Sequence, residues 1–223
     1  MVSAKAASSA AQTDAGADDP VARVRNNHSL EYGPFINWGS GIGNRSDYKF
    51  LSAGVQVGKP MFGVVHAGIL SGQFEAGANI MPLWQAYTPA PYSVTVPLQG
   101  GGTETVQHGG GTFRGVSLTP AIFRWNFLTH SKHWQPWFQA AGGLIYTTHK
   151  FPPDKMVPKG TPGGTSVWNF SPQGGGGIHY FIRPRRSIDL QVSGVHISSA
   201  SLGDRNPGVN ASVQVQIGYT FWK

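Results

Sequence analysis

The chain has 223 residues, enough for one domain or one closed barrel, and pairs 31 glycines and 12% aromatic residues with only 12% charged ones, a balance that suits a closed sheet better than a helical protein. It has no cysteine, which excludes a disulfide framework and a thiolate site, and no apolar run of about 18 residues, which excludes a transmembrane helix. The net charge of +7 favours anionic surfaces such as phosphorylated lipid, but the Lys and Arg residues are scattered apart from Arg183-Pro184-Arg185-Arg186, which argues against a nucleic-acid stripe.

Residues 1–28, small and polar, read as a disordered leader or signal remnant ahead of a single β-barrel domain, 29–223. The first twenty residues lack the apolar region of a secretory signal, although Ser3-Ala4-Lys5-Ala6 looks like the small-residue end of one. Short alternating segments separated by turn-rich stretches come next, the pattern of an all-β fold. Eight strands are expected, at about 30–40, 49–58, 73–87, 114–127, 134–147, 166–182, 187–198 and 211–222. The third sets Phe74, Ala76, Ala78, Ile80, Pro82 and Trp84 against Glu75, Asn79 and Gln85. The fourth is mixed. The fifth sets Trp134, Phe138, Ala140, Leu144 and Tyr146 against Gln135 and Gln139, and the last alternates Val213, Val215, Ile217, Tyr219 and Phe221 with Gln214, Gln216, Gly218 and Thr220.

Alternation does not say which face points outward: a soluble lipocalin-like barrel buries its apolar face, a membrane barrel turns it to lipid. A polar face of Gln, Asn, Gly, Ser and Thr suits a packed barrel interior, and aromatics gather toward strand ends as in interfacial girdles. The third, fifth and seventh connections are long and the fourth and sixth short, as expected for an outer-membrane barrel with periplasmic termini; the second, about 59–72, is too long for that rule. The expected fold is therefore an eight-stranded antiparallel transmembrane β-barrel of the bacterial outer membrane.

The seventh strand carries the chemistry. Ile188, Leu190, Val192, Gly194, His196 and Ser198 share one face, with Asp189, Gln191 and Ser193 on the other before Val195 and Ile197. If the aliphatic face meets lipid, a base and a hydroxyl lie at the lipid surface at outer-leaflet depth, which suits an enzyme acting on a lipid.

His196-Ile197-Ser198-Ser199-Ala200, then Asn206-Pro207-Gly208-Val209-Asn210 and the aromatic last strand, resemble the lipid A 3-O-deacylase family of outer-membrane acyl hydrolases, whose pattern is His-x-Ser-Asn-Ala, a short loop and an Asn-x-Gly turn. Gly72-Gln73-Phe74 through Pro82-Leu83 resembles the family's third strand more weakly. The resemblance implies removal of the ester-linked 3-O-acyl chain of lipid A, with Ser198 as nucleophile, His196 as base and a third group orienting the imidazole. Two positions depart from it: Ser199 stands where the family usually has Asn, and Asn210, fourteen residues after the His, where the family's well-known enzyme has Glu. An Asn carbonyl can set the imidazole tautomer but cannot stabilise imidazolium by charge. Asp204 in the same loop is the alternative third member. Backbone N–H groups around Asn206 and Gly208, or of Ser199 and its neighbours, are the candidate oxyanion donors.

No cofactor or metal is expected, since His130 and His133 lack a third ligand and read as a solvated turn. Gly39-Ser40-Gly41-Ile42-Gly43 has no helix after it and is not a nucleotide loop. Lys150, Lys155 and Lys159 are placed to meet lipid phosphates. The expected partners are lipid A (lipopolysaccharide) and the outer membrane, without nucleic acid; the sequence leaves open whether the barrel forms a homodimer. Two rivals remain: a catalytically silent structural barrel that keeps these last strands, and a soluble lipocalin-like ligand-binding barrel.

Overall fold

The computed structural model describes residues 19–153, 166–200 and 210–223. Eleven strands are present among them: β1 (Glu31–Gly41), β2 (Lys49–Pro60), β3 (Gly72–Tyr87), β4 (Tyr92–Pro97), β5 (Thr103–His108), β6 (Thr112–Phe127), β7 (Trp134–Phe151), β8 (Ser166–Phe170), β9 (Gln173–Arg183), β10 (Arg186–His196) and β11 (Ala211–Trp222). Eight of them close an antiparallel ring in the order β1-β2-β3-β6-β7-β9-β10-β11, with β11 pairing back to β1. The strands β4 and β5 form a separate hairpin in the long third connection. The expected sixth strand is broken at Ser171-Pro172, since Pro172 has no N–H for a ladder. Its first part, β8, continues the line of β9 between the upper end of β7 and the residues just past β10, where Phe170 bridges to Ser198.

The apolar face points outward: Val192 is 54% exposed and Phe138 53%, while Gln135, Gln139, Gln191, Gln214 and Gln216 are buried. The lipocalin-like arrangement is thereby overturned. Trp84 is a correction of another kind. Expected on the outward face of β3, it lies inside at 4% exposure, because a bulge between Met81 and Trp84 shifts the alternation by one residue. A second bulge, between Leu118 and Ala121, explains why the fourth expected strand reads as mixed.

The interior is layered. At the long-loop end, Tyr48, Phe50, Trp84, Phe113, Phe151 and Ile197 belong to one apolar cluster. Below it, Asn37 Nδ2 donates to Gln214 Oε1 (2.6 Å) within a belt of buried amides. Nearer the chain termini, Arg124 Nη1 lies 2.7 Å from Glu31 and 2.8 Å from Glu75, with the guanidinium over the ring of Trp137. Beside it, His179 Nδ1 donates to Asp189 Oδ1 (2.8 Å), which also accepts from Ser187, while Thr220 donates to the other carboxylate oxygen.

A short helix closes this end. The segment expected as a disordered leader, 1–28, contains α1 (Pro20–Asn26), started by Pro in its first turn and by Asp19, whose side chain accepts from the Ala22 N–H (2.9 Å). Burial of Val21 and Val24 against Phe181 and Trp222 gives this short helix the tertiary support that its length demands. The overlong second connection also has a role. Phe62 stacks on Phe74, and the Trp125 indole donates to the Leu70 carbonyl (3.1 Å), so the loop is tied to aromatic residues of β3 and β6 while Ile69 stays exposed.

Candidate active site

Strand β10 ends at His196, and Ile197 fixes the orientation of the side chains on either side of it. Ile197 is buried in the apolar cluster with Val195, and its N–H donates to the Asn210 carbonyl (2.8 Å). Alternation then turns His196 and Ser198 to the lipid-facing side, both half-buried, in phase with exposed Ile188, Leu190 and Val192. His196 pairs with Ala211 on β11, and its N–H donates to the Pro172 carbonyl (3.0 Å). Ser198 pairs with Phe170, each N–H donating to the other's carbonyl at 3.0 and 2.7 Å.

The backbone turns sharply beyond Ser198. Ala200 has a φ of 45°, a left-handed conformation uncommon for a side chain with a Cβ, and this aims its N–H at Ser198 Oγ (3.2 Å). Ser199 points to the other side and is buried. Asn210 is also buried, at 5% exposure, and continues the interior phase of Ser212 and Gln214. Asp204, Asn206 and Gly208 lie outside the described residues, as do Lys155 and Lys159; Lys150 is exposed beyond Tyr146 on β7.

The surface below His196 is recessed. Gly194 pairs with Gly174, and Gly174 with Ala140, so a track without long side chains crosses β10, β9 and β7 on the outward face. A Cβ on Gly194 would meet nothing nearer than a backbone oxygen at 3.9 Å, and one on Gly174 nothing nearer than 3.7 Å, so chain packing does not require glycine at either position.

Across the 72–220 span, from β3 to β11, the chain matches the family described as lipid A 3-O-deacylase (PagL). The chain belongs to that family. Among solved structures, the outer membrane enzyme PagL is 13% identical over 85% of this chain and 98% of its own, with a TM-score of 0.49. Neisserial surface protein A (NspA) is 14% identical over 87% and 96%, with a TM-score of 0.46, and the N-terminal β-barrel domain of Pseudomonas aeruginosa OprF is 11% identical over 87% and 98%, with a TM-score of 0.40. Among curated proteins, none matches the chain. As a PagL-family member the protein is an outer-membrane β-barrel, with strands rather than helices crossing the bilayer.

The other constellation of ligand-type side chains among the described residues is internal. Glu31, His179 and Asp189 bring one atom each within 4.8 Å of one another, but Asp189 is bonded to His179, Ser187 and Thr220, and Glu31 to Arg124. This is an ion-pair network that packs the barrel. Two neighbours of Ser198 escape the sequence reading. Trp168 and Phe170 alternate visibly, but only the topology shows that their strand lies beside Ser198. The Ala200 turn has no residue signature, since alanine seldom marks a left-handed position.

Proposed function

We propose that this PagL-family barrel hydrolyses the ester-linked 3-O-acyl chain of lipid A, with Ser198 as nucleophile and His196 as base. The observation that supports it most is the placement of both side chains on the lipid-facing side at the long-loop end, where a lipid ester in the outer leaflet can reach them. Residues two apart on one strand face are about 7 Å apart at Cα, which imidazole and hydroxyl can span.

In this reading His196 takes the Ser198 proton as Oγ attacks the ester carbonyl carbon. The negative charge that develops on the carbonyl oxygen needs a donor, and the Ala200 N–H is already 3.2 Å from Oγ. Collapse of the tetrahedral intermediate releases the sugar hydroxyl, protonated by the imidazolium, and leaves the acyl group on Ser198. Water, deprotonated by His196, then frees the fatty acid. The resemblance assigns the setting of the imidazole tautomer to Asn210, whose backbone is bonded to Ile197 and whose side chain falls in the interior phase of β11.

Mass spectrometry of lipid A incubated with the refolded protein and with Ser198→Ala tests the assignment. Loss of one 3-hydroxyacyl chain with the wild type alone is expected. Unchanged lipid A in both, from barrels shown to be folded, overturns it in favour of a silent barrel.

A further inference from the structure

We infer that Tyr146, Trp168 and Phe170, with Arg114 at their rim, form the platform that holds the phosphorylated sugar headgroup of the substrate while Ser198 meets its acyl ester. The inference rests on the catalytic reading of Ser198.

The strand β8 continues the barrel wall beyond β9: one edge pairs with β7 and the other meets Ser198 through Phe170. Its outward side chains, Trp168 and Phe170, are 51% and 38% exposed, and Tyr146, opposite Trp168 on β7, is 41% exposed. The Tyr146 and Trp168 rings are 4.9 Å apart, so they form one continuous surface. An aromatic girdle spreads rings around a barrel, one strand end after another. Here three rings crowd onto β8 and its neighbour β7, beside the proposed nucleophile.

Height along the strands gives the direction of the substrate. Ser198 is level with Phe170 and Leu144, whereas Trp168 and Tyr146 lie two residues, about 7 Å, nearer the long-loop end. An ester at Ser198 divides its lipid into an acyl chain and a headgroup. The acyl chain runs toward Gly194 and Val192, where the outward face is aliphatic. The headgroup must run the other way, over Trp168 and Tyr146. The C–H face of a pyranose stacks on such rings, which are apolar in body and polar at one edge.

Arg114 supplies the charge. It is exposed on β6, two residues beyond Val116, which pairs with Tyr146, and its carbonyl accepts from Thr148 of β7 (3.3 Å). Strand spacing and rise put its Cα about 8 Å from that of Tyr146, within reach of a guanidinium directed at a sugar phosphate. An aromatic surface edged by a guanidinium matches a phosphorylated glycolipid better than a neutral diacyl lipid.

The test uses the full chain refolded in detergent micelles. Binding of lipid A is measured on Ser198→Ala protein, which cannot turn it over, with and without Trp168→Ala, Trp168→Phe or Arg114→Gln. In parallel, each substitution on the Ser198 background is assayed on a nitrophenyl fatty-acyl ester, which has no sugar or phosphate. Trp168→Ala is expected to weaken lipid A binding by about tenfold, the loss typical of removing one stacking ring, and Trp168→Phe to keep most of it. Arg114→Gln is expected to weaken binding of lipid A but not of its dephosphorylated form, and nitrophenyl ester hydrolysis stays unchanged throughout. Undiminished lipid A binding by folded Trp168→Ala, or a parallel fall in nitrophenyl ester hydrolysis, overturns the platform. Failure of the catalytic reading is separate: hydrolysis would then survive Ser198→Ala, while the binding measurements still report on the platform.

Discussion

Ser198 and Phe170 are held to each other by two backbone hydrogen bonds, 3.0 and 2.7 Å, just beyond the break at Ser171-Pro172 that separates β8 from β9. The position of the proposed nucleophile therefore depends on the short strand that carries the barrel wall upward from β9. Phe170→Pro removes the N–H that donates to the Ser198 carbonyl. Deacylation is expected to fall by about tenfold or more, as for a small misplacement of a reacting group, while the barrel keeps its heat-modifiable mobility on gels. Full activity in Phe170→Pro would show that Ser198 is positioned by β10 alone.

Asn210 has a more ambiguous neighbourhood, because its carbonyl is bonded to Ile197 while its side chain falls in the interior phase of β11. If that side chain orients His196, Asn210→Ala is expected to lower kcat by roughly 10²- to 10⁴-fold with KM little changed, the effect of losing the correct tautomer. An unchanged kcat moves the orienting role into residues 201–209, where Asp204 is the first candidate.

Glycines at Gly174 and Gly194 are costly inside strands, by about 0.5–1 kcal/mol each relative to alanine. Open space around both suggests that the recess, not the fold, requires them. Gly194→Val is expected to unfold at equal or higher urea concentration than the wild type, yet to cleave long acyl chains more slowly than short ones. Equal slowing of acetyl and long-chain esters would mean that Gly194 acts on His196 and not on the chain.

Much of this was legible in the residues. The alternation in 187–198 and 211–222 placed His196 and Ser198 on the lipid side, and the eight barrel strands fall close to their expected positions. What was missed has physical causes. A bulge changes the phase without changing composition, so Trp84 read as outward. Helix α1 is too short for a periodic pattern, although Asp19-Pro20 is a readable start signal. The partners of Arg124 are 93 and 49 residues away in sequence, a separation that no local pattern reveals.

That long-range network gives the sharpest stability prediction. Arg124 holds two carboxylates, Glu31 and Glu75, through a single nitrogen, and Glu75 also accepts from Asn126 (2.8 Å). Arg124→Met would leave both acids buried without their cation, at a cost of about 3–5 kcal/mol for a buried pair broken on one side. The urea midpoint in lipid vesicles, followed by tryptophan fluorescence, should fall accordingly. Adding Glu31→Gln and Glu75→Gln to Arg124→Met removes the uncompensated charges, so most of the lost stability should return. A triple variant no more stable than Arg124→Met would show that the guanidinium contributes chiefly by packing on Trp137, 4.4 Å away, and not by neutralising the acids.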